Sequence, residues 1–551
     1  MALVTLMLGA CAADPVGDLE EGTTDVGTGD DAAEDDAEVT EDGADDEAGA
    51  EDADDAAADG ASITVAGDQA DELDPTTART AAASVILDTM CYALYTYDTD
   101  AELQPRLATE LPDTSDDGLT VTIGIRDDVT FNDGTPLDAE AVKISLDRHR
   151  ELPDSARAGE MAIITDVEVV DEHTVSLALE APFAALGATL AGPPGRIMSP
   201  AQLEELGDDF GGDPVCAGPF QFVERPDQDR VIVERAEEFY DADEVQLDQI
   251  TFVAIDDNAV AVSNLRSGEV DVVSALAPVN LDDAEGDGNI EVFRRPGTGY
   301  VGFTINLGLV DGMDKPVGQV DTPIAQDPRL REAFELSLDR ELINEIVYDG
   351  LHDVGCTAVS PNVPFAAANP ECPERDVERA MELIEESDYD APIEVDLMVS
   401  TDPDRMRIAE LTQSMAAEAG FEVNVRSLEA TTTIDEATAG DYEMWLIGFG
   451  GGPDPDTALY RMNHSQGGSN DSGVGFTDID DEIDAALDAT RTEPDQDARI
   501  ELFREPLELI AERRAIIYLY HPSQIVGARD HLTGIELRPN GVDFAQVGVA
   551  D

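Results

Sequence analysis

The sequence predicts an α/β body built from many short elements, and three observations carry that prediction. The chain has 551 residues, 42% of them hydrophobic, which is material for more than one core. Period-two alternation and helical spacing both recur along it, without strict strand–helix alternation and without an internal repeat. Turn residues such as Asp74-Pro75 and Asp133-Gly134 punctuate these segments.

In chain order, Ser62 to Ala66 alternates as a first strand, and Asp74-Pro75 breaks the chain before an amphipathic helix over Ala81 to Leu94. After Tyr95-Thr96-Tyr97-Asp98 comes a short connection, Leu103 to Ala108. Leu119 to Ile125 alternates cleanly, with Leu, Val and two Ile towards one face. Asp133-Gly134 then supplies a turn, and Asp138 is placed to cap a helix over Ala139 to Arg148. Strands are expected over Gln249 to Val253, up to Asn306, and over Ile517 to Tyr520. Helices are expected over Ala259 to Leu265 and from Pro328 onward. Asp256-Asp257, Arg329, Arg331 and Arg340 read as caps, solvated faces and helix-terminal pairs.

Charge narrows the function. There are 123 acids against 31 Lys plus Arg, a formal net charge of −92. Nucleic acid and anionic membrane surfaces would be repelled. Only Lys143 and Lys315 are lysines. Such self-repulsion is tolerable where molar salt shortens the Debye length to about 3 Å, so a salt-adapted organism is expected, the alternative being a GC-rich genome that favours Asp and Arg codons plus one acidic tail.

Residues 14 to 60 hold 21 of the acids and no base, which leaves −71 for the rest. That segment lacks the apolar surface to offset ordering entropy and is expected to stay disordered and extended. Before it, Met1 to Ala10 is apolar but far short of the roughly 20 residues a membrane span needs. Leu8-Gly9-Ala10-Cys11 resembles a lipobox, whose cysteine sulfur takes lipid. No basic stretch precedes it, so a start upstream of Met1 is expected. The acidic segment then reads as a spacer between the anchor and the folded body.

The central run carries a family resemblance. Pro105, Leu107 and Ala108 are followed by Asp117-Gly118-Leu119-Thr120, and then by Arg126, Val129, Phe131, Asp133-Gly134-Thr135-Pro136, Ala139 and Val142. This pattern resembles the signature of extracellular solute-binding proteins of family 5, the peptide/nickel class of ABC importers. The similarity continues through Cys216-Ala217-Gly218-Pro219-Phe220, Gly268-Glu269-Val270-Asp271, Pro328 to Ala333, Leu338-Asp339-Arg340 and Ile517 to Pro522.

The resemblance implies a two-lobed periplasmic-binding-protein-like fold of the large peptide-binding class, with a subdomain inserted in the first lobe. Residues 1–11 would be the signal remnant and lipobox, and 12–61 the acidic linker. The base lobe would take 62–95, 205–297 and 508–551, the inserted subdomain 96–204, and the second lobe 298–507. The late segment Ile517 to Pro522 is expected to return to the first lobe. The implied function is capture of peptides or peptide-like solutes at the outer face of the membrane. Delivery would be to a permease heterodimer served by cytoplasmic ATPases, by a monomer touching the membrane only through its lipid. A non-peptide solute of the same family (a nickel complex, a sugar or an opine) or a ligand-sensing role are the rivals.

Catalysis is not expected. The six histidines, His149, His173, His352, His464, His521 and His531, have no metal spacing. No lysine follows the glycines at 448–452, and there is no G-x-S-x-G elbow. No cofactor is implied. With Cys11 lipidated, four cysteines remain in an oxidising compartment. Cys356 and Cys372 flank a turn-rich loop and are expected to close a staple worth ~3 kcal/mol. Cys91 and Cys216 either pair across the base lobe or stand as buried thiols.

The segment from Tyr442 to Asp456 resembles the family's cleft strand and loop. It makes Trp445, the sole tryptophan, a candidate for the cleft wall or its support, together with Gly448, Phe449, Gly450, Gly451 and Asp454, although Asp454 and Asp456 also read as structural caps of the loop and the next helix. Tyr300, Thr76 and Tyr95 complete the candidates, with Asp74, Thr77, Tyr97 and Asn306 behind them. In peptide-binding members an aspartate three residues before the Asp-Pro-Asp motif meets the peptide's ammonium group. That position is Gly451 here, so either another acid replaces it or the ligand is not a free-amine peptide.

Overall fold

A seven-stranded mixed sheet is built around the parallel pairing of Ser62–Gly67 with Gln249–Ala254 and Val272–Val273. The computed structural model describes residues 61–550 apart from 227–229, 256 and 314. The Cys11 tetrad, the acidic segment up to residue 60 and Asp256 therefore lie outside the described residues.

The strand order of this sheet is Ile290–Arg295, Gln524–Arg529, Val272–Val273, Ser62–Gly67, Gln249–Ala254, Arg230–Arg235 and Phe220–Glu224. Alternation decides its faces: Ile63 and Val65 point into one core, and Ala66 packs with helix Asn258–Ser267 on the other side. A four-stranded sheet (Asp113–Thr114, Thr120–Gly124, Thr174–Leu179, Ile164–Asp171) is covered by helix Ala139–Glu151. Asp138 caps that helix, accepting the Ala141 N–H at 2.9 Å. Val121, Ile123, Val142 and Leu146 belong to the same continuous core as Ile63 and Val65.

Helix Ala81–Met90 stops four residues short of the sequence expectation. Cys91 is bonded to Cys216 (S–S 2.04 Å), and Gly218 approaches so closely that a Cβ there would lie 2.2 Å from the Met90 carbonyl oxygen. The backbone beyond Met90 is thereby committed to an extended path, with Ala93 bridged to Arg196. The Cys356–Cys372 bond (S–S 2.10 Å) closes a loop elsewhere, with 16 residues of sequence separation.

A six-stranded sheet occupies the later half of the chain, in the order Asp353–Val354, Ile516–His521, Tyr300–Ile305, Met444–Phe449, Ile393–Ser400 and Phe421–Leu428. Here one sequence expectation is overturned. Ile516–His521 does not return to the first sheet but pairs antiparallel with Tyr300–Ile305, and all six of its residues are buried. The following strand, Gln524–Arg529, makes the return and pairs with Ile290–Arg295.

The chain therefore crosses between the sheets twice, at residues 296–299 and at Pro522-Ser523. The two crossings touch: a Cβ on Gly297 would lie 1.9 Å from the Pro522 carbonyl oxygen, and His521 Nδ1 sits 2.8 Å from the Gly299 carbonyl oxygen.

Candidate functional site

Parallel strands deliver their loops to one edge of a sheet, which is where open α/β sheets bind ligands. In the first sheet Ser62–Gly67 runs into the loop carrying Asp74-Pro75. In the second, Ile393–Ser400, Phe421–Leu428 and Met444–Phe449 run the same way, and the last leads into Gly450 to Asp456.

Each loop is pinned by an aspartate gripped from a neighbouring helix. Asp74 accepts the Thr76 N–H at 2.8 Å and both Arg148 Nη atoms, at 2.9 and 2.8 Å. Asp454 accepts the Asp456 N–H at 3.0 Å and is held by both Nη atoms of Arg499, one at 2.9 Å. Asp456 is in turn bonded to Arg491 at 2.6 and 2.8 Å.

Contacts between the two halves show which surfaces face each other. The Ala184 N–H donates to the Arg491 carbonyl oxygen at 2.8 Å, and the Arg491 guanidinium lies 4.9 Å from the Phe183 ring and 3.1 Å from the Tyr460 ring. Burial drives the Tyr97 phenol far above its ordinary range, and the Asp454 carboxylate adds to the shift.

Nearby, Arg157 stands at the N-cap of the short helix Ala158–Met161, which contains Glu160, and Arg461 comes from helix Asp456–Asn463. Arg157 Nη1 is 3.6 Å from Glu160 Oε1. The Glu160 side chain keeps 43% of its surface exposed, yet surrounding protein raises its carboxyl, while Arg157 and then Arg461 pull it back down. Burial lowers the Arg157 guanidinium, and the like charges of Arg196, Arg79 and Arg461 push the same way. Arg461 donates Nε–H to Ser469 Oγ at 2.8 Å and stands 5.3 Å from the Phe449 ring. Among the described residues it has no carboxylate within ion-pair distance.

Tyr300, Gly448, Phe449, Gly450 and Gly451 meet at the edge of the second sheet, beside the first crossing. The Tyr300 ring is packed edge-on against Tyr518 at 4.8 Å and lies 6.0 Å from Phe449. Its buried hydroxyl has no hydrogen-bond partner among the described residues, and burial holds the phenol well above its ordinary range. A Cβ on Gly448 would lie 3.0 Å from Arg405 Nη2, whereas one on Gly450 would meet open space. Gly451 is locked against the crossing: a Cβ there would lie 2.3 Å from the Thr298 carbonyl oxygen, and Thr298 Oγ1 donates to the Gly451 carbonyl oxygen at 2.8 Å.

The side chains of Asp454, Thr76, Tyr95 and Tyr300 need correction as cleft-lining groups, Tyr300 being 1% exposed in a core with Leu459 and Tyr518, and Trp445, expected as wall or support, is not exposed as a wall. The Asp454 carboxylate is occupied by Arg499, so it braces the loop. Trp445 packs with Leu309, Met398 and Tyr442 in a core of the second sheet. Thr76 is fully buried, with Oγ1 3.9 Å from Met198 Sδ, and Tyr95 is fully buried in the first core. Trp445 and Tyr95 sit on strands and Thr76 in the loop after the first strand, and all three side chains are buried. Asn306 is likewise structural, donating to the Gly440 carbonyl oxygen at 3.0 Å. Sequence reasoning missed Glu160, Arg157 and Arg461. The only available signal was the scarcity of arginine, since one acid among 123 carries none.

The sequence model of the bacterial extracellular solute-binding proteins, family 5 (middle), matches residues 102–470. The glutathione-binding protein GsiB of Salmonella paratyphi A is 26% identical over 490 residues, covering 87% of this chain and 92% of that protein. The ABC transporter substrate-binding protein CtaP of Listeria monocytogenes superposes with a TM-score of 0.78 at 22% identity, over 90% of this chain and all of that one. DppA of Helicobacter pylori, solved in complex with the peptide STSA, gives 0.73 at 21% identity, over 89% and 98%. These likenesses make the fold the two-lobed one of periplasmic binding proteins.

Proposed function

The chain belongs to the bacterial extracellular solute-binding proteins of family 5, the substrate-binding components of ABC importers, and on that premise we propose that its solute is a short peptide with a free amino terminus. The glutathione- and peptide-binding relatives favour that class.

The observation that carries it is Glu160. Gly451 leaves the second wall without the carboxylate that the family resemblance associates with a peptide's ammonium group. Glu160 offers one from the opposite wall, accessible and under-solvated. A ligand ammonium there would supply compensation that burial has taken away. Arg461, with no carboxylate of its own, would receive the peptide's carboxylate or a side-chain acid. Closure of the lobes would remove both groups from water, so each must find its partner at once.

Delivery to a permease heterodimer driven by cytoplasmic ATPases, a monomeric state, and anchoring through lipid on Cys11 with the acidic segment as spacer complete the reading. The sequence alone supports these. The test is titration calorimetry of wild type and Glu160→Gln with a tripeptide and its N-acetylated form. Wild type is expected to prefer the free amine by tenfold or more, and Glu160→Gln to erase that preference. Equal affinity of wild type for the two forms would refute the free-amine reading.

A further inference from the structure

A cavity of about 240 Å³ opens away from the cleft, lined by Tyr92, Arg106, Arg126, Tyr240, Arg538 and Asp543 among others. All its lining residues fall within 92–126, 239–246 and 538–546, so none comes from the second sheet's part of the chain. It is a seam between the first sheet, the inserted subdomain and the C-terminal segment.

Its three arginines are matched in number by three acids, Asp241, Glu244 and Asp543, but only Asp543 lies inside. The sequence has only 31 basic residues, and three arginines converge here. Arg106 lies 3.4 Å over the Tyr92 ring and Arg126 lies 4.2 Å over Tyr240, so both guanidiniums are held in place before any guest arrives. Arg126 is satisfied outward by Asp128, which is 58% exposed. Arg106 and Arg538 both turn to one oxygen, Asp543 Oδ2, at 3.4 and 2.8 Å. The other oxygen, Oδ1, accepts the Ala545 N–H at 3.2 Å. Arg106, Arg538 and Asp543 are all mostly buried, while Asp241 and Glu244 stand exposed at the rim. Inside, two guanidiniums therefore share one carboxylate, and the buried Arg538 Nε has no acceptor among the described residues.

A buried cation without its own counter-charge is costly. Water can satisfy N–H donors but not the missing negative charge. An oxyanion supplies both, and a guanidinium fork matches its geometry. We propose that this cavity is a second ligand site, which binds a small oxyanion carried by a carboxylate or a phosphate group. Its volume leaves room for a small organic body behind that group.

The test is calorimetry on the full chain with inorganic phosphate and with malonate, in buffer of fixed chloride. One site per chain is expected, with affinity reduced at least tenfold in Arg538→Gln. Binding of phosphate alone assigns a phosphoryl group and binding of malonate alone a carboxylate, and either supports the site. No heat from either anion at millimolar concentration overturns it. So does binding unchanged in both Arg538→Gln and Arg126→Gln, or binding displaced by a cleft peptide. If Arg538→Gln does not fold, crystals of the unaltered protein soaked in selenate decide the matter. An anomalous peak within hydrogen-bond reach of Arg106 and Arg538 supports the site, and its absence there refutes it.

Discussion

The two loops that face each other across the cleft share one device and differ in what precedes it. Both place an Asp-Pro pair after a strand and clamp the aspartate with a two-pronged arginine, Arg148 on Asp74 and Arg499 on Asp454. The first loop is then covered by the segment that follows helix Ala139–Glu151, through the Ala156 N–H to the Thr76 carbonyl oxygen at 2.9 Å and Arg157 Nη2 to the Ala78 carbonyl oxygen at 2.8 Å. The second loop is preceded by glycines that press backbone onto the first crossing. The first loop is thus backed by side chains from another segment, while the second presents main chain at 450–451 beside the Phe449 and Arg461 side chains. Position 451 has no room for a Cβ, and on the proposed function the acid that meets the ligand's ammonium, Glu160, stands on the opposite side.

Removing the clamps tests the shared device and has the largest expected effect. Arg499→Leu leaves Asp454 buried without a partner, at a cost of about 3–5 kcal/mol. Arg148→Leu should do the same to Asp74, both read by denaturant unfolding. A cost below about 1 kcal/mol for either would show that the loops are held differently.

The glycine contrast comes next. Gly451→Ala must displace the Thr298 carbonyl and should cost about 1–3 kcal/mol. Gly450→Ala meets open space and should stay within about 0.5 kcal/mol. Equal effects in thermal melts would break the claim that only position 451 is locked.

The smallest effect belongs to an acid without a clamp. Burial pushes the Asp471 carboxyl up to about 6, against the pull of Arg461. Between pH 3.8 and 6 the folded chain keeps a proton that the unfolded chain has released, so stability falls as pH rises through that window. Above pH 6 the penalty is complete. Asp471→Asn should remove the slope and gain about 1–2 kcal/mol at pH 7. A pH profile of melting temperature identical to wild type would refute it.

Much of the fold was legible because local chemistry and final structure agree. Asp138 announces its helix by its spacing to Ala141, and Asp133-Gly134 turns where Gly134 takes φ +80°. The helix after Ala81 was overrun because its end is set by Cys216 and Gly218, more than a hundred residues away. Ile516–His521 was assigned to the wrong sheet for a related reason. A strand buried on both faces has no alternation, and Ile-Ile-Tyr-Leu-Tyr suits the middle of either sheet. The cleft was legible as a loop but not as a set of side chains. Tertiary packing turns Trp445, Thr76 and Tyr95 inward, and three-dimensional placement alone separates Glu160 from the other acids.

The double crossing also dictates an order of assembly during synthesis. Arg295 and Gln524 are register partners in the first sheet, so residues 296–523 form a closed excursion from a single hairpin. The six-stranded sheet is complete once residue 521 has emerged. The first sheet still lacks Gln524–Arg529, which lies between Ile290–Arg295 and Val272–Val273. The earlier half of the chain must therefore wait, unfinished, for almost the last strand made. The later half, contiguous in sequence, can close without it. Truncation just after His521 would leave the second sheet whole and strip the first of its second strand, with the edge strand Ile290–Arg295 left unpaired.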